Sequence, residues 1–273
     1  MNPNTRKSLL LAITTAGLAG IVVQARAEEL LGYTDTPMLP SGKWHVHDPS
    51  RPKPPAVTPG AAFSHGAPEP SDAIVLFNGT DFSHWEGDKG APQWTIHEDY
   101  MEVNPHTGYI HTKEKFGDFQ LHVEFAEPVV VAANSGDAGN SGVFLQGLYE
   151  VQVYDSDHNR IYSDGACGAL YGQSPPMVSA CKMLGQWQTF DIVFEAARWN
   201  GKHELVRPAI VTVFQNGVLI HYKQPLLGPT GHRILGTYSV ELPATGPIAL
   251  QDHGDRVRFR NIWIRSIQEE EKP

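Results

Sequence analysis

From Ala73 to Ile267 the chain is written in short runs whose side chains alternate between apolar and polar, each ended by a turn signal. The runs are AIVLFNGTDF, QWTIHEDYMEV, FQLHVEF, SGVFLQG, YEVQVYDS, WQTFDIVFEA, AIVTVFQNGVLIHY, GPIALQDHG and VRFRNIWIRSI. A period of two is that of a strand, which sends neighbouring side chains to opposite faces. Asn216-Gly217, between VTVF and VLIHY, is a two-residue hairpin signal. No segment carries a long helical period, so repeating strand-helix units are excluded. The expected class is all-β, with two stacked antiparallel sheets.

Outside this region the composition changes. Arg6 and Lys7, an apolar run from Leu9 to Val23 and Ala25-Arg26-Ala27 make an export signal over residues 1–27. The run is shorter than the roughly 20 residues that span a bilayer, so a periplasmic or secreted protein is expected. Residues 28–71 are dense in proline and poor in apolar runs, which favours an extended arm. Residues 72–267 form the sandwich and 268–273 a charged tail. Cys167 and Cys181 are close in sequence, and in an oxidising compartment a disulfide between them is the natural pairing.

The formal charge of -9, without any basic stripe, argues against nucleic acid, which requires clustered Lys and Arg against its phosphates. No glycine-rich phosphate loop is present and no histidine spacing makes zinc compelling, so no cofactor is required; a divalent cation held by Glu150, Asp155 and His253, with Asp252, is the one metal option. Oligomeric state is left open.

Each strand of a sandwich gives one face to the core. In YEVQVYDS the core side is Tyr149, Val151 and Val153, which leaves Glu150, Gln152 and Tyr154 outside, with Asp155 beyond. ALQDHG repeats the pattern with Gln251 and His253, FQLHVEF with Gln120, His122 and Glu124, and VRFRNIWIRS with Arg258 and Arg260. Glutamine amides donate and accept, so they pair well with vicinal hydroxyls. Convergence of these strands in one hollow would suit a polyhydroxylated ligand. For Trp85, Trp94, Trp187 and Trp263 a packed role is favoured over sugar stacking.

The order LFNGTDFSHW, FGDFQLHVEF, NSGVFLQGLYEVQVYDS, GQWQTFDIVFEA, ATGPIALQDHGDRVRFRNIWIRSI resembles the bacterial DUF1080 family, the 3-keto-disaccharide hydrolase domain, from Asp72 to Ile267. The arm segment GYTDTPMLPSGKWHVHDPSRPKPP looks like the leader of some secreted members, which implies that it wraps the sandwich. The resemblance implies a concanavalin A-like, laminin G-like jelly-roll β-sandwich and cleavage of glycosides oxidised at C3, by hydrolysis or elimination. Gln146 stands where the pattern has Arg, which bears on the charge of one subsite.

A C3 ketone acidifies the C2 proton, so the reaction calls for a base near C2, a donor to the C3 oxygen and an acid at the leaving oxygen. Glu150, His253 and Arg260 are the catalytic candidates, with Glu150 or His253 as base and Arg260 at the enolate. Gln152, Tyr154, Gln251, Glu124, Gln146 and Asp155 are the substrate-binding candidates. Two alternatives stand beside this: a lectin-like glycan-binding module, and a retaining glycosidase using Glu124 and Glu150 about 5 Å apart.

Overall fold

A computed structural model describes residues 31–60, 64–129, 139–156 and 160–267. The expected export signal and charged tail lie outside these residues. The described chain is all-β apart from one 3-10 turn at Ser163–Gly165, and forms the two large antiparallel sheets that the alternation predicts, with a two-stranded ribbon of Arg198–Trp199 and Leu205–Arg207 beside them. No described helix is long and apolar enough to cross a membrane.

The larger sheet runs in the order Val218–Pro225, Ile210–Gln215, Gln188–Glu195, Phe119–Ala126, Arg258–Ser266, Met101–Glu102, Thr95–Ile96, with Ile74–Phe77 also paired to Arg258–Ser266. The hairpin at Asn216-Gly217 joins the first two, and Asn216 has φ 51 and Gly217 φ 80, as a tight turn of this hand requires. The smaller sheet has the order Trp85–Gly87, Ile110–Thr112, Ala249–Leu250, Ser141–Leu145, Tyr149–Val153. Ala249–Leu250, from near the chain's end, is inserted between two earlier strands. That crossover is what carries Gln251 and His253 beside Glu150.

The inner faces supply the core. Phe119, Leu121, Val123 and Phe125 of the larger sheet are fully buried against Val143, Val151, Val153 and Leu250 of the smaller. Tyr149 and Phe194 meet across the gap at 5.7 Å between ring centres. Trp85 and Trp94 are core residues whose indole N–H groups donate to the carbonyls of Leu76 and Gly108, so burial leaves no donor unpaired.

The arm wraps the sandwich. Val46 and His47 are fully buried, Ala56 makes a parallel bridge to Ser179, and Ser64 Oγ donates to Asp191 on the larger sheet at 2.6 Å. On the smaller sheet the strand Tyr149–Val153 is covered on both faces: every one of its residues is buried.

The disulfide expected between Cys167 and Cys181 is not formed; both are free thiols. Gln215 Nε2 donates to the two sulfurs at 3.3 and 3.4 Å. A hydrogen bond with Cys181, and then burial, hold the Cys167 thiol well above its ordinary pKa, which suppresses the thiolate that disulfide chemistry needs.

Candidate active site

The strand register builds the site. Phe144 pairs with Glu150 and Gly142 with Gln152, while the Gln251 N–H donates to the Gly142 carbonyl at 3.1 Å and extends the ladder. On the outer face this makes one row of Gln251, Gly142 and Gln152. The middle position bears no side chain, and the gap between the glutamines opens into a cavity of about 370 Å³. A β-carbon built on Gly142 would lie 2.4 Å from Glu150 Oε1 and 3.0 Å from its Cδ, so the carboxyl occupies the room that glycine leaves.

Glu150, Gln152, Gln251 and His253, four of the expected site residues, all line this cavity. Burial alone pushes the Glu150 carboxyl up to about 8, so near neutral pH it is mostly protonated and a donor. Gln251 Nε2 donates to Tyr109 Oη at 2.6 Å, but Gln251 Oε1 and Gln152 Oε1 are buried without a hydrogen-bond partner. Such oxygens cost free energy unless a donor reaches them. Two open carbonyl acceptors on the wall of one cavity suit the hydroxyls of a sugar.

Loops close the cavity with residues that periodicity did not single out: Tyr109, Asn140, Tyr171, Thr230 and His232. Asn140 Nδ2 donates to His253 Nδ1 at 3.3 Å, which leaves the ring proton on Nε2. His232 Nδ1 lies 2.9 Å from Tyr171 Oη, which in turn is 2.7 Å from Tyr162 Oη. Burial, then the neighbouring His47, Arg233 and His253, hold the His232 imidazole below its ordinary value, so it is neutral at pH 7. Burial raises both phenols, which keeps them protonated.

A second lobe, of about 430 Å³, adjoins the first and shares Asn140, Gln152, Tyr171, His232 and His253 with it. Tyr154 lines this outer lobe, as does Tyr33 from the arm. The two imidazoles thus stand at the junction of the lobes, and Glu150 in the inner one.

The other expected site residues are elsewhere. Arg260 and Glu124 are cross-strand partners on the outer face of the larger sheet, with Arg260 Nε donating to Glu124 Oε2 at 2.9 Å. Outer faces of two packed sheets point in opposite directions across roughly 10 Å of core, so Arg260 cannot serve an enolate beside Glu150. For the same reason Glu124 and Glu150 cannot form a retaining pair about 5 Å apart. Glu124 instead takes hydrogen bonds from the Gly66 N–H and Asn261 Nδ2, and Arg260 also stacks over Trp187 at 4.1 Å and pairs with Asp99. Gln146, with φ 54, donates to the carbonyls of Phe116 and Ala244 and fixes a turn. Asp155 is buried but lines neither lobe.

Among the described residues, no three His, Cys, Asp or Glu side chains converge as a cation site. Asp252 is occupied in accepting the N–H groups of Thr107, Gly108 and Gly254 at 2.7, 2.9 and 3.0 Å.

Comparison with known proteins agrees with the fold. Residues 72–265 match the 3-keto-alpha-glucoside-1,2-lyase-like domain. A protein from Bacteroides thetaiotaomicron named 3-keto-disaccharide hydrolase is 24% identical over 242 residues, which cover 71% of this chain and 78% of that one. A crystal structure of a candidate glycosyl hydrolase from Parabacteroides distasonis superposes with a TM-score of 0.69 at 43% identity, covering 79% of this chain and 93% of that one. A second from the same organism shares the fold at 17% identity and a TM-score of 0.52, over 72% of this chain and 94% of its own.

Proposed function

We propose an activity from two premises: the chain belongs to the 3-keto-alpha-glucoside-1,2-lyase-like domain family, and its groove sets a protonated carboxyl near two imidazoles and two unpartnered amide oxygens. The reaction is cleavage of a glycoside whose glucose unit carries a ketone at C3. A base takes the acidified C2 proton and the freed pair forms an enolate on the C3 oxygen. The enolate reverts to the ketone as the C1–O bond breaks, leaving a C1=C2 double bond, and the departing oxygen takes a proton. Water adding across the double bond completes a net hydrolysis.

The residues divide these tasks by their protonation. Glu150, protonated in the inner lobe, donates a hydrogen bond to the C3 oxygen and stabilises the enolate, the task first expected of Arg260. His232, neutral and hydrogen-bonded through Nδ1 to Tyr171, is the base at C2. His253, with its proton kept on Nε2 by Asn140, donates a hydrogen bond from Nε2 to the leaving oxygen, which is protonated by solvent as it departs. Gln152 and Gln251 accept from the sugar hydroxyls through their unpartnered oxygens. The export-type segment at residues 1–27 supports a periplasmic or secreted location for this chemistry.

The observation that carries the reading is the Glu150 carboxyl, raised by burial with no compensating group, inside the cavity that holds both histidines. The test is incubation with methyl 3-keto-glucoside carrying deuterium at C2. Release of methanol with deuterium lost to water supports elimination. Methanol released with deuterium retained would replace it with direct hydrolysis, and a bound, unchanged ligand would return the groove to the glycan-binding alternative.

A further inference from the structure

We propose that the outer lobe is the site for the leaving group, that the arm completes it through Tyr33, and that it selects substrates whose leaving group is a ring able to stack. The inference rests on the proposed reaction, since the junction of the lobes is taken as the place where the C1–O bond breaks. It adds that the sugar's partner is chosen by a residue far outside the strands that carry the chemistry.

The lobes differ in their walls. The inner one is lined by the glutamines, Glu150, Tyr109 and Phe144. The outer one adds Tyr33, Tyr154 and Tyr162, with Leu31, Ile161 and the cationic Arg160, to the Tyr171 that both share. With His232 and His253 common to both, a ring in the inner lobe whose C1 oxygen reaches the imidazoles must send its substituent outward, between these phenols. Aromatic side chains offer flat apolar faces with a polar tip, suited to a hydroxylated or aryl ring and indifferent to a methyl group.

Tyr33 is built into this wall. Gly32 has φ 138, and a β-carbon there would lie 2.4 Å from the His47 carbonyl oxygen and 2.8 Å from Pro49 N, so only glycine lets the arm close at this point. The Tyr33 N–H then donates to the His47 carbonyl at 2.8 Å. His47 is in turn fixed to Asp164, whose carboxylate accepts from the His47 N–H at 3.0 Å and contacts Nδ1 at 3.2 Å, both side chains being fully buried. Asp164 lies in the 3-10 turn directly after Tyr162, so one buried pair sets arm and loop together and brings the Tyr33 and Tyr162 rings to 6.3 Å. The Arg233 guanidinium covers the Tyr33 ring at 4.1 Å and is itself held to Asp35 by two contacts of 2.8 Å. This clamp fixes the ring's orientation before any ligand arrives, which reduces the ordering cost of binding.

The experiment compares kcat/KM for three 3-keto-glucosides, methyl, phenyl and glucosyl, in the full chain and in Tyr33→Ala and Tyr33→Phe. The wild type is expected to prefer the phenyl and glucosyl substrates. Tyr33→Ala should lower that preference over methyl by about threefold to tenfold, the range of a single aromatic contact. Tyr33→Phe should restore it. A larger effect on phenyl than on glucosyl marks an aryl leaving group as the fitted class, and the reverse marks a sugar; either supports the subsite. An equal change on all three substrates, or none, overturns the inference while the reaction stands. Failure of the wild type to release a leaving group from any of the three overturns the reaction and the inference with it.

Discussion

The carboxyl of Glu150 lies across the bare backbone of Gly142, where a β-carbon would come within 2.4 Å of Oε1. The two residues are on neighbouring strands, diagonal to one another across the Gly142–Gln152 and Phe144–Glu150 pairs. The smallest residue in the sheet thus defines where its buried acid sits. Gly142→Ala is expected to fold, at a cost of about 1–3 kcal/mol, and to lower kcat on the order of a hundredfold because the carboxyl must move by an ångström or more. Steady-state kinetics alongside thermal unfolding checks this; full activity would show that Glu150 works from another position.

Glu150→Ala should lower kcat by roughly a hundredfold to a thousandfold, as loss of an oxyanion donor does. Glu150→Gln should retain more, since an amide N–H still donates, and its activity should lose the alkaline limb. In the wild type the active form has Glu150 protonated and His232 neutral, so kcat should fall as pH rises through about 8 and again as pH drops below the lowered His232 value. Equal inactivation by Ala and Gln would instead make the carboxylate the base.

The same burial makes Glu150 a cost to the fold. Its folded pKa of about 8 stands above the ordinary 4.5, so stability is fully present below about 4.5 and is lost as pH rises toward 8. Glu150→Gln removes the titration and should be more stable than wild type by a few kcal/mol at pH 8, the difference closing as pH approaches 4.5. Denaturant midpoints at the two pH values measure it.

His232→Ala and His253→Ala should each reduce turnover by about a hundredfold. Their signatures differ. A phenolate leaving group needs little proton assistance, so His253→Ala should lose less on phenyl than on methyl 3-keto-glucoside, whereas His232→Ala should lose equally on both. Identical patterns would mean that the two imidazoles do not divide the tasks as assigned.

On the opposite sheet the Glu124 cluster predicts stability without activity. Burial pushes the Glu124 carboxyl up, but hydrogen bonds from His122, Asn261, Gly66 and Arg260 outweigh it and hold the group far below its ordinary value. Burial lowers His122, and its contacts with Asp191 and Glu124 more than reverse this. The stabilisation from Glu124 is therefore present above about 4.5 and lost as pH falls below it, while that from His122 is present below about 6.5 and lost as pH rises through its elevated value. Glu124→Gln should cost about 3–5 kcal/mol, as breaking a buried pair does, with kcat unchanged. Loss of activity in folded protein would tie the two outer faces together.

Local order in the chain determined the fold class, because a period of two with polar turns has one stable outcome, a face packed against another sheet. It also determined that Glu150, Gln152, Gln251 and His253 leave the core, since alternation dictates the face of each. Alternation says nothing about which of two sheets a strand joins, so Glu124 and Arg260 read the same as Glu150 and were placed with it. Pairing order decided otherwise, through the late strand Ala249–Leu250 that enters the smaller sheet and the strand Arg258–Ser266 that enters the larger. His232, Tyr171 and Tyr33 come from loops and the arm, which have no period to read, and meet the site only through long-range contacts such as His47 with Asp164. The protonation of Glu150 belongs to the same level, since desolvation is a property of the surroundings that packing creates and not of the residue.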